Sequence, residues 1–195
     1  MRLLMIYSHP VSESFGAAMR DAALAGLSEG GHEVKLIDLY AENFDPRLSR
    51  EERLDYENPQ RNTANTAGHV EKLRWAEGLI FVFPTWWYGL PAMLHGWLDR
   101  VWVPGVAFEI RDGGKVIEPN LRNIQLVVGI TSCGSPGWWM KIVGEPQKRI
   151  IMRGLRALFH KRCRKKWLTI YKMDSASPLA RQKYLTRITG EMRRL

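Results

Sequence analysis

The chain has little of what export, metal binding or a membrane span would require. Two cysteines, Cys133 and Cys163, stand far apart with neither metal-ligand nor redox spacing, which suits a reducing, cytoplasmic setting rather than a disulfide framework. Five histidines (His9, His32, His69, His95 and His160) are scattered, so no metal site is expected. No apolar run approaches the ~18 residues of a membrane helix. Residues Met1 to Tyr7 pass straight into His9-Pro10 without a cleavage pattern, and no signal peptide is expected. The Walker phosphate-loop pattern and GxGxxG are both missing, which disfavours triphosphate hydrolysis and a Rossmann dinucleotide site.

One strongly basic stretch lacks acid altogether. Lys148 to Lys166 carries nine basic residues and no carboxylate, although the chain's net charge is +9 and the remaining 20 basic and 20 acidic residues cancel. Such a stretch can attract nucleic acid, an anionic surface, a membrane protein or a phosphorylated ligand. Its plainer interpretation is a solvated helix face whose cations complement the helix C-terminus. Without a nucleic-acid motif, no nucleic-acid partner is expected.

What is present centres on Gly78 to Trp102. Leu79 to Phe83 is a continuous apolar run of strand length, as in a strand buried on both faces. Pro84 ends it, because proline has no N–H to donate. Thr85, Trp86, Trp87, Tyr88 and Gly89 then form an aromatic loop. Pro91 can open a helix whose apolar positions are Leu90, Met93, Leu94, Trp97, Leu98, Val101 and Trp102. The three adjacent rings fit an oligomer contact or core filler, and they equally fit a wall for a flat conjugated ligand.

The rest of the chain alternates strand and helix. Strands are expected at Arg2–Tyr7, Glu33–Leu39, Leu79–Phe83, Ile124–Ile130 and Trp167–Met173. Helices are expected from Phe15, near His69–Ala76, after Pro91, over Pro146–Phe159, and from Ser177-Pro178 onward. Tyr40 to Thr66 has little periodicity. Val103 to Asn120, with Pro104-Gly105 and Asp112-Gly113-Gly114, suggests an excursion containing a hairpin. The pattern predicts one α/β domain over residues 1–195, a flavodoxin-like three-layer sandwich with a five-stranded parallel sheet in the order 2-1-3-4-5. A chain of this length buries about 70% of its unfolded surface.

In that topology three loops converge at the carboxyl edge of the sheet: His9–Ser14, Thr85–Gly89 and Thr131–Pro136. The first opens a helix and offers N–H groups and hydroxyls to a phosphate. The second offers ring faces, and the third is a small polar turn that a ligand ring can approach closely. Together they describe a flavin site.

These residues resemble the flavodoxin-like NAD(P)H dehydrogenase (quinone), or quinone reductase, family. The resemblance lies in His9-Pro10 with Ser14-Phe15, in Leu39 to Glu52, in Phe81 to Trp102 most of all, and in Pro104–Phe108 and Thr131-Ser132. It covers residues 1 to about 145. It implies a flavin, FAD or FMN, held by His9, Ser14, Phe15, Pro84, Thr85, Trp86, Trp87, Tyr88, Thr131, Ser132, Cys133 and Gly134. It implies NAD(P)H as co-substrate, a quinone or similar acceptor in a pocket shared by Trp86, Trp87 and Trp139, ping-pong hydride transfer, and a homodimer with sites at its interface. The chain departs from the family pattern at Gly16, where many members have asparagine, and at Cys133, where the turn usually has glycine. Trp138-Trp139 and Gly144-Glu145 occupy the region where the animal enzymes place a tyrosine and a histidine. Two other roles fit the same fold: an ancillary regulatory subunit of a potassium efflux system, docked through the basic stretch, and a flavodoxin-type electron carrier. Carriers of that kind tend to be acidic with a shorter aromatic loop.

Overall fold

The protein was analysed as a computed structural model, which describes residues 1–111, 113 and 116–195. Strand β3 (Gly78–Pro84) lies at the centre of a five-stranded parallel sheet and is buried along its whole length. On one side it pairs with β1 (Arg2–Tyr7), which pairs in turn with β2 (Glu33–Asp38). Two further strands, β4 (Phe108–Arg111) and β5 (Val116–Pro119), form a separate antiparallel hairpin. The sheet resumes with β6 (Leu126–Ser132) and ends at β7 (Arg164–Ile170). The order β2-β1-β3-β6-β7 is the expected 2-1-3-4-5 once the hairpin is set aside. Of the turn residues predicted to close the hairpin, Asp112 and Gly114 lie outside the described residues.

Side-chain alternation along β3 assigns residues to the two cores. Leu79, Phe81 and Phe83 point to the layer formed by α3 (Ala67–Trp75) and α4 (Ala92–Val101), against Val70, Leu73, Leu94, Trp97 and Val101. Ile80 and Val82 point to α1 (Phe15–Glu29) and α7 (Pro178–Arg193), against Met19, Ala23, Leu27, Ile188 and Met192. Ser177 caps α7 by accepting from the Ala180 N–H, as Ser14 caps α1 by accepting from Ala17.

The segment Tyr40 to Thr66 is tied down by polar groups. It contains a five-residue helix, α2 (Arg50–Leu54), with a reciprocal capping box between Ser49 and Glu52. The Glu52 carboxylate also receives the Arg100 guanidinium of α4 (Nε–Oε1 3.0 Å), and Arg100 donates to the Asp45 carbonyl as well. Further along, the Trp97 indole N–H donates to His69 Nδ1 at 3.1 Å, which leaves the proton on Nε2 for Glu42 at 2.7 Å. Gly96 permits this docking, because a Cβ there would lie 2.1 Å from the Pro46 carbonyl oxygen.

Several boundaries differ from expectation, among them the fourth strand, which runs Leu126–Ser132 rather than Ile124–Ile130. Pro91 is the N-cap of α4 rather than its first helical residue. The fifth strand begins at Arg164 and ends at Ile170, because the Arg164 N–H already pairs with Gln125. The helix expected over Pro146–Phe159 has three parts: α6 (Pro146–Arg149), a π turn (Ile150–Gly154) and a 3₁₀ turn (Leu155–Leu158).

Candidate functional site at the carboxyl edge of the sheet

At the carboxyl ends of β3 and β6 the ladder closes with the Thr85 N–H donating to the Ser132 carbonyl at 2.8 Å. Below it, the Thr85 and Thr131 hydroxyls lie 2.9 Å apart. Above this floor Trp86 to Gly89 makes a tight turn, with the Gly89 N–H donating to the Trp86 carbonyl at 2.9 Å. Its two central residues, Trp87 (φ 48°) and Tyr88 (φ 62°), are both left-handed. That is type I′ geometry, which ordinarily selects Asn-Gly. An L-residue held there costs about 1–3 kcal/mol and persists only where its surroundings enforce it. Here the Trp139 indole N–H donates to the Tyr88 hydroxyl at 3.1 Å from α5 (Gly137–Val143).

The turn forms one wall of a cleft of about 450 Å³ lined by Pro84 to Tyr88, Ser132 to Ser135, Met173 and Asp174. The sequence-predicted residues Pro84, Thr85, Trp86, Trp87, Tyr88, Ser132, Cys133 and Gly134 therefore meet in one place. Trp87 is 95% exposed at the rim and Trp86 41%. Gly134 lets the Asp174 carboxylate lie against the turn, since a Cβ would sit 2.4 Å from Asp174 Oδ2 and displace it. The N–H groups of Trp87, Tyr88 and Gly134 have no internal acceptor among the described residues, whereas the Cys133 N–H donates to the Ile170 carbonyl at 2.9 Å. Burial pushes the Cys133 thiol up, so it stays protonated.

The first loop adjoins this cleft without lining it. The His9 ring lies 6.0 Å from Trp86 between centroids. His9 Nδ1 accepts from the Val11 N–H at 3.1 Å, which puts the proton of the neutral ring on Nε2. Burial lowers the His9 pKa, against the effect of that hydrogen bond. Ser14 Oγ takes the Ala17 N–H, so the first-turn N–H groups of Phe15 and Gly16 are left without a helical acceptor. Ser8, fully buried where β1 enters this loop, has a hydroxyl with no partner among the described residues.

Three expected residues hold the site from outside the cleft. Phe15 stacks on Tyr184 of α7 at 6.4 Å. Thr131 is fully buried, and its carbonyl accepts from the Tyr184 hydroxyl at 3.2 Å. Trp139 reaches the wall only through Tyr88.

Ser135, Met173 and Asp174 line the cleft although sequence reasoning did not select them. Ser135 lies inside a loop already singled out. Met173 and Asp174 follow the fifth strand and come to the same edge by the same topology. Gln147, buried on α6, sits with Nε2 3.5 Å from Thr85 Oγ1 and carried no sequence signal.

The family model described as flavodoxin-like fold matches residues 1–191. Among solved structures, Smu.1420 from Streptococcus mutans UA159 has a TM-score of 0.87 at 31% identity, with 100% of each chain covered. An NAD(P)H:quinone oxidoreductase from Methanothermobacter marburgensis has a TM-score of 0.83 at 28% identity, over 99% of this chain and 96% of that one. The NAD(P)H dehydrogenase (quinone) 1 of Rattus norvegicus is 38% identical over 153 residues, 69% of this chain and 54% of its own. The chain thus spans about half the length of that relative. It belongs to the flavodoxin-like family, and within it to the NAD(P)H oxidoreductases and quinone reductases that its sequence resembles.

Proposed function

We propose that the chain is a flavin-dependent NAD(P)H:quinone oxidoreductase, active as a homodimer. One observation carries this: an aromatic turn held in left-handed geometry faces a polar glycine turn across a single cleft, beside the open N-terminus of α1. The residues fit a flavin. Among the described residues the buried Ser8 hydroxyl, in the loop that leads into α1, has no partner, as a site made for phosphate would have it. Gly134 presents bare backbone to the cleft, which a ring can approach closely.

The bound flavin would supply the two-electron relay between NAD(P)H and a quinone, in a ping-pong cycle. The chain's own groups bind and orient. His9 offers its Nε2–H, and Phe15 and Gly16 offer backbone N–H groups, to the phosphate end. Trp86 and Trp87 give flat faces on which a ring, a nicotinamide or a quinone can stack. The N–H groups of Trp87, Tyr88 and Gly134 can hold negative charge that builds on a reduced ring. A second copy of the chain against the exposed Trp87, Trp138 and Ile142 would exclude water from the mouth.

The test is quinone reduction by the purified protein without oxygen. NADH or NADPH should be consumed in equal amounts with a benzoquinone, with parallel double-reciprocal plots. A protein that holds flavin yet leaves NAD(P)H unoxidised would be a carrier or a regulator instead. Size-exclusion chromatography should give twice the chain mass.

A further inference from the structure

The helix α5 has a cleft at each end. Its first turn carries Trp139 to Tyr88 on the wall of the aromatic cleft. Its C-cap, Gly144 (φ 92°), borders a second cleft of about 330 Å³ between α5, α6, the π turn and the edge strand β7. Seven residues of α-helix separate the two, about 10 Å.

Charged side chains line this second cleft: Lys141, Glu145, Lys148, Arg149, Arg153 and Lys165. Glu145 does not neutralise it. One carboxylate oxygen receives Lys148 Nζ at 2.9 Å and the other the Tyr171 hydroxyl at 2.9 Å. Burial opposes the charge on Glu145, but these two donors together with Lys148 and Lys141 hold its carboxyl below the usual range. Among the described residues, Lys141, Arg149, Arg153 and Lys165 have no carboxylate within ion-pair distance. The Arg149 guanidinium is packed against Gly144, and Arg153 belongs to the π turn, a distortion frequent at functional sites. Cations gathered in a concavity without a counter-charge repel one another and focus a positive potential into it.

The structure also divides the basic stretch seen in the sequence. Arg162 and Arg164 line a different hollow with Glu77. Lys166 pairs with Glu191 of α7, on the opposite face of the sheet. Arg156 donates to the Lys161 carbonyl. What remains is a compact concavity with room for a phosphate and the sugar that carries it, not a stripe that could follow a nucleic-acid backbone or a membrane plane.

We propose that this pocket binds the 2′-phosphate of NADPH while the nicotinamide occupies the aromatic cleft, so that the protein selects NADPH over NADH. The inference rests on the proposed oxidoreductase function. Guanidinium forks and ammonium groups suit a phosphate dianion, and NADH presents only a hydroxyl there.

The test compares wild type with the Arg153→Ala/Lys165→Ala double variant, using NADPH and NADH with a benzoquinone. The binding of adenosine 2′,5′-bisphosphate to both proteins is followed by calorimetry. Losing two charged hydrogen-bond donors should raise the KM for NADPH about tenfold or more and leave NADH kinetics unchanged. Bisphosphate affinity should fall by a similar factor, and rising salt should weaken it in wild type. Equal effects on NADPH and NADH, or no bisphosphate binding by wild type, would overturn the proposal. So would sedimentation with anionic vesicles that the substitutions abolish and bisphosphate does not compete. If wild type oxidises neither nucleotide, the oxidoreductase proposal fails, and bisphosphate binding still reports on the pocket by itself.

Discussion

The two clefts at the ends of α5 are open for different physical reasons. The aromatic cleft is held by hydrogen bonds and backbone strain: the paired hydroxyls of Thr85 and Thr131, the Tyr88–Trp139 bond, and two left-handed residues in succession. The basic cleft is held by charge, with four cations around a carboxylate that is already engaged. Strain in the first is a fixed cost of the turn, whereas repulsion in the second is a cost that an anionic ligand relieves. Only the second is strongly screened by salt, so ionic strength separates the two.

The largest expected effect comes from filling one cleft and sparing the other. Gly134→Val places a side chain where Asp174 already sits. The isopropyl group turns the exposed Asp174 carboxylate aside and itself occupies the cleft, so flavin binding should weaken about 10–100-fold, the equivalent of ~1.4–2.8 kcal/mol. Adenosine 2′,5′-bisphosphate should bind this variant as it binds wild type, as calorimetry on both clefts will show.

A smaller effect runs the opposite way in stability. Trp87→Asn installs at the first left-handed position the residue that type I′ geometry prefers and keeps the Tyr88–Trp139 hydrogen bond. Trp87 is exposed, so no core is lost. The variant should be more stable by about 1–2 kcal/mol in urea titration, and should bind flavin more weakly for want of the ring faces. A loss of stability would mean that the turn is not strained.

The smallest effect concerns acid. Because the Glu145 carboxyl lies below its ordinary 4.5, its contribution is complete above that pH and is lost as pH falls through the lowered value. Lys148 is partly exposed, so the contribution is at most about 1 kcal/mol. Glu145→Gln should be slightly less stable than wild type at neutral pH, with the difference vanishing as the solution is acidified below 4.5.

The contrast between the clefts also explains what the sequence revealed. The sheet was readable because β1, β3 and β6 are continuous apolar runs whose order follows from βα alternation. The aromatic cleft was readable because its walls are short contiguous segments after strand ends. The basic cleft was hidden, since its side chains come from Lys141 to Lys165 across four elements, and a count of charge along the chain merges them with Arg162 and Lys166, which face elsewhere. Helix α2 was missed because five residues cannot show periodicity, although Ser49 and Glu52 stand at capping-box spacing and Arg100 completes the set from 48 residues away. The change from α to π to 3₁₀ after Pro146 has no apolar period of its own. Met173 and Asp174 were overlooked because the fifth strand was expected to run three residues too far.

The most direct measurement is the absorbance spectrum of the purified protein, followed by titration of the flavin-free form with FMN and with FAD. Oxidised-flavin bands that bleach with NADPH and return with quinone, and that are lost in Gly134→Val, are the predicted result; the titration identifies the flavin. A well-folded wild type that carries no flavin and takes up neither FMN nor FAD would contradict the account, leaving the aromatic turn as a contact surface.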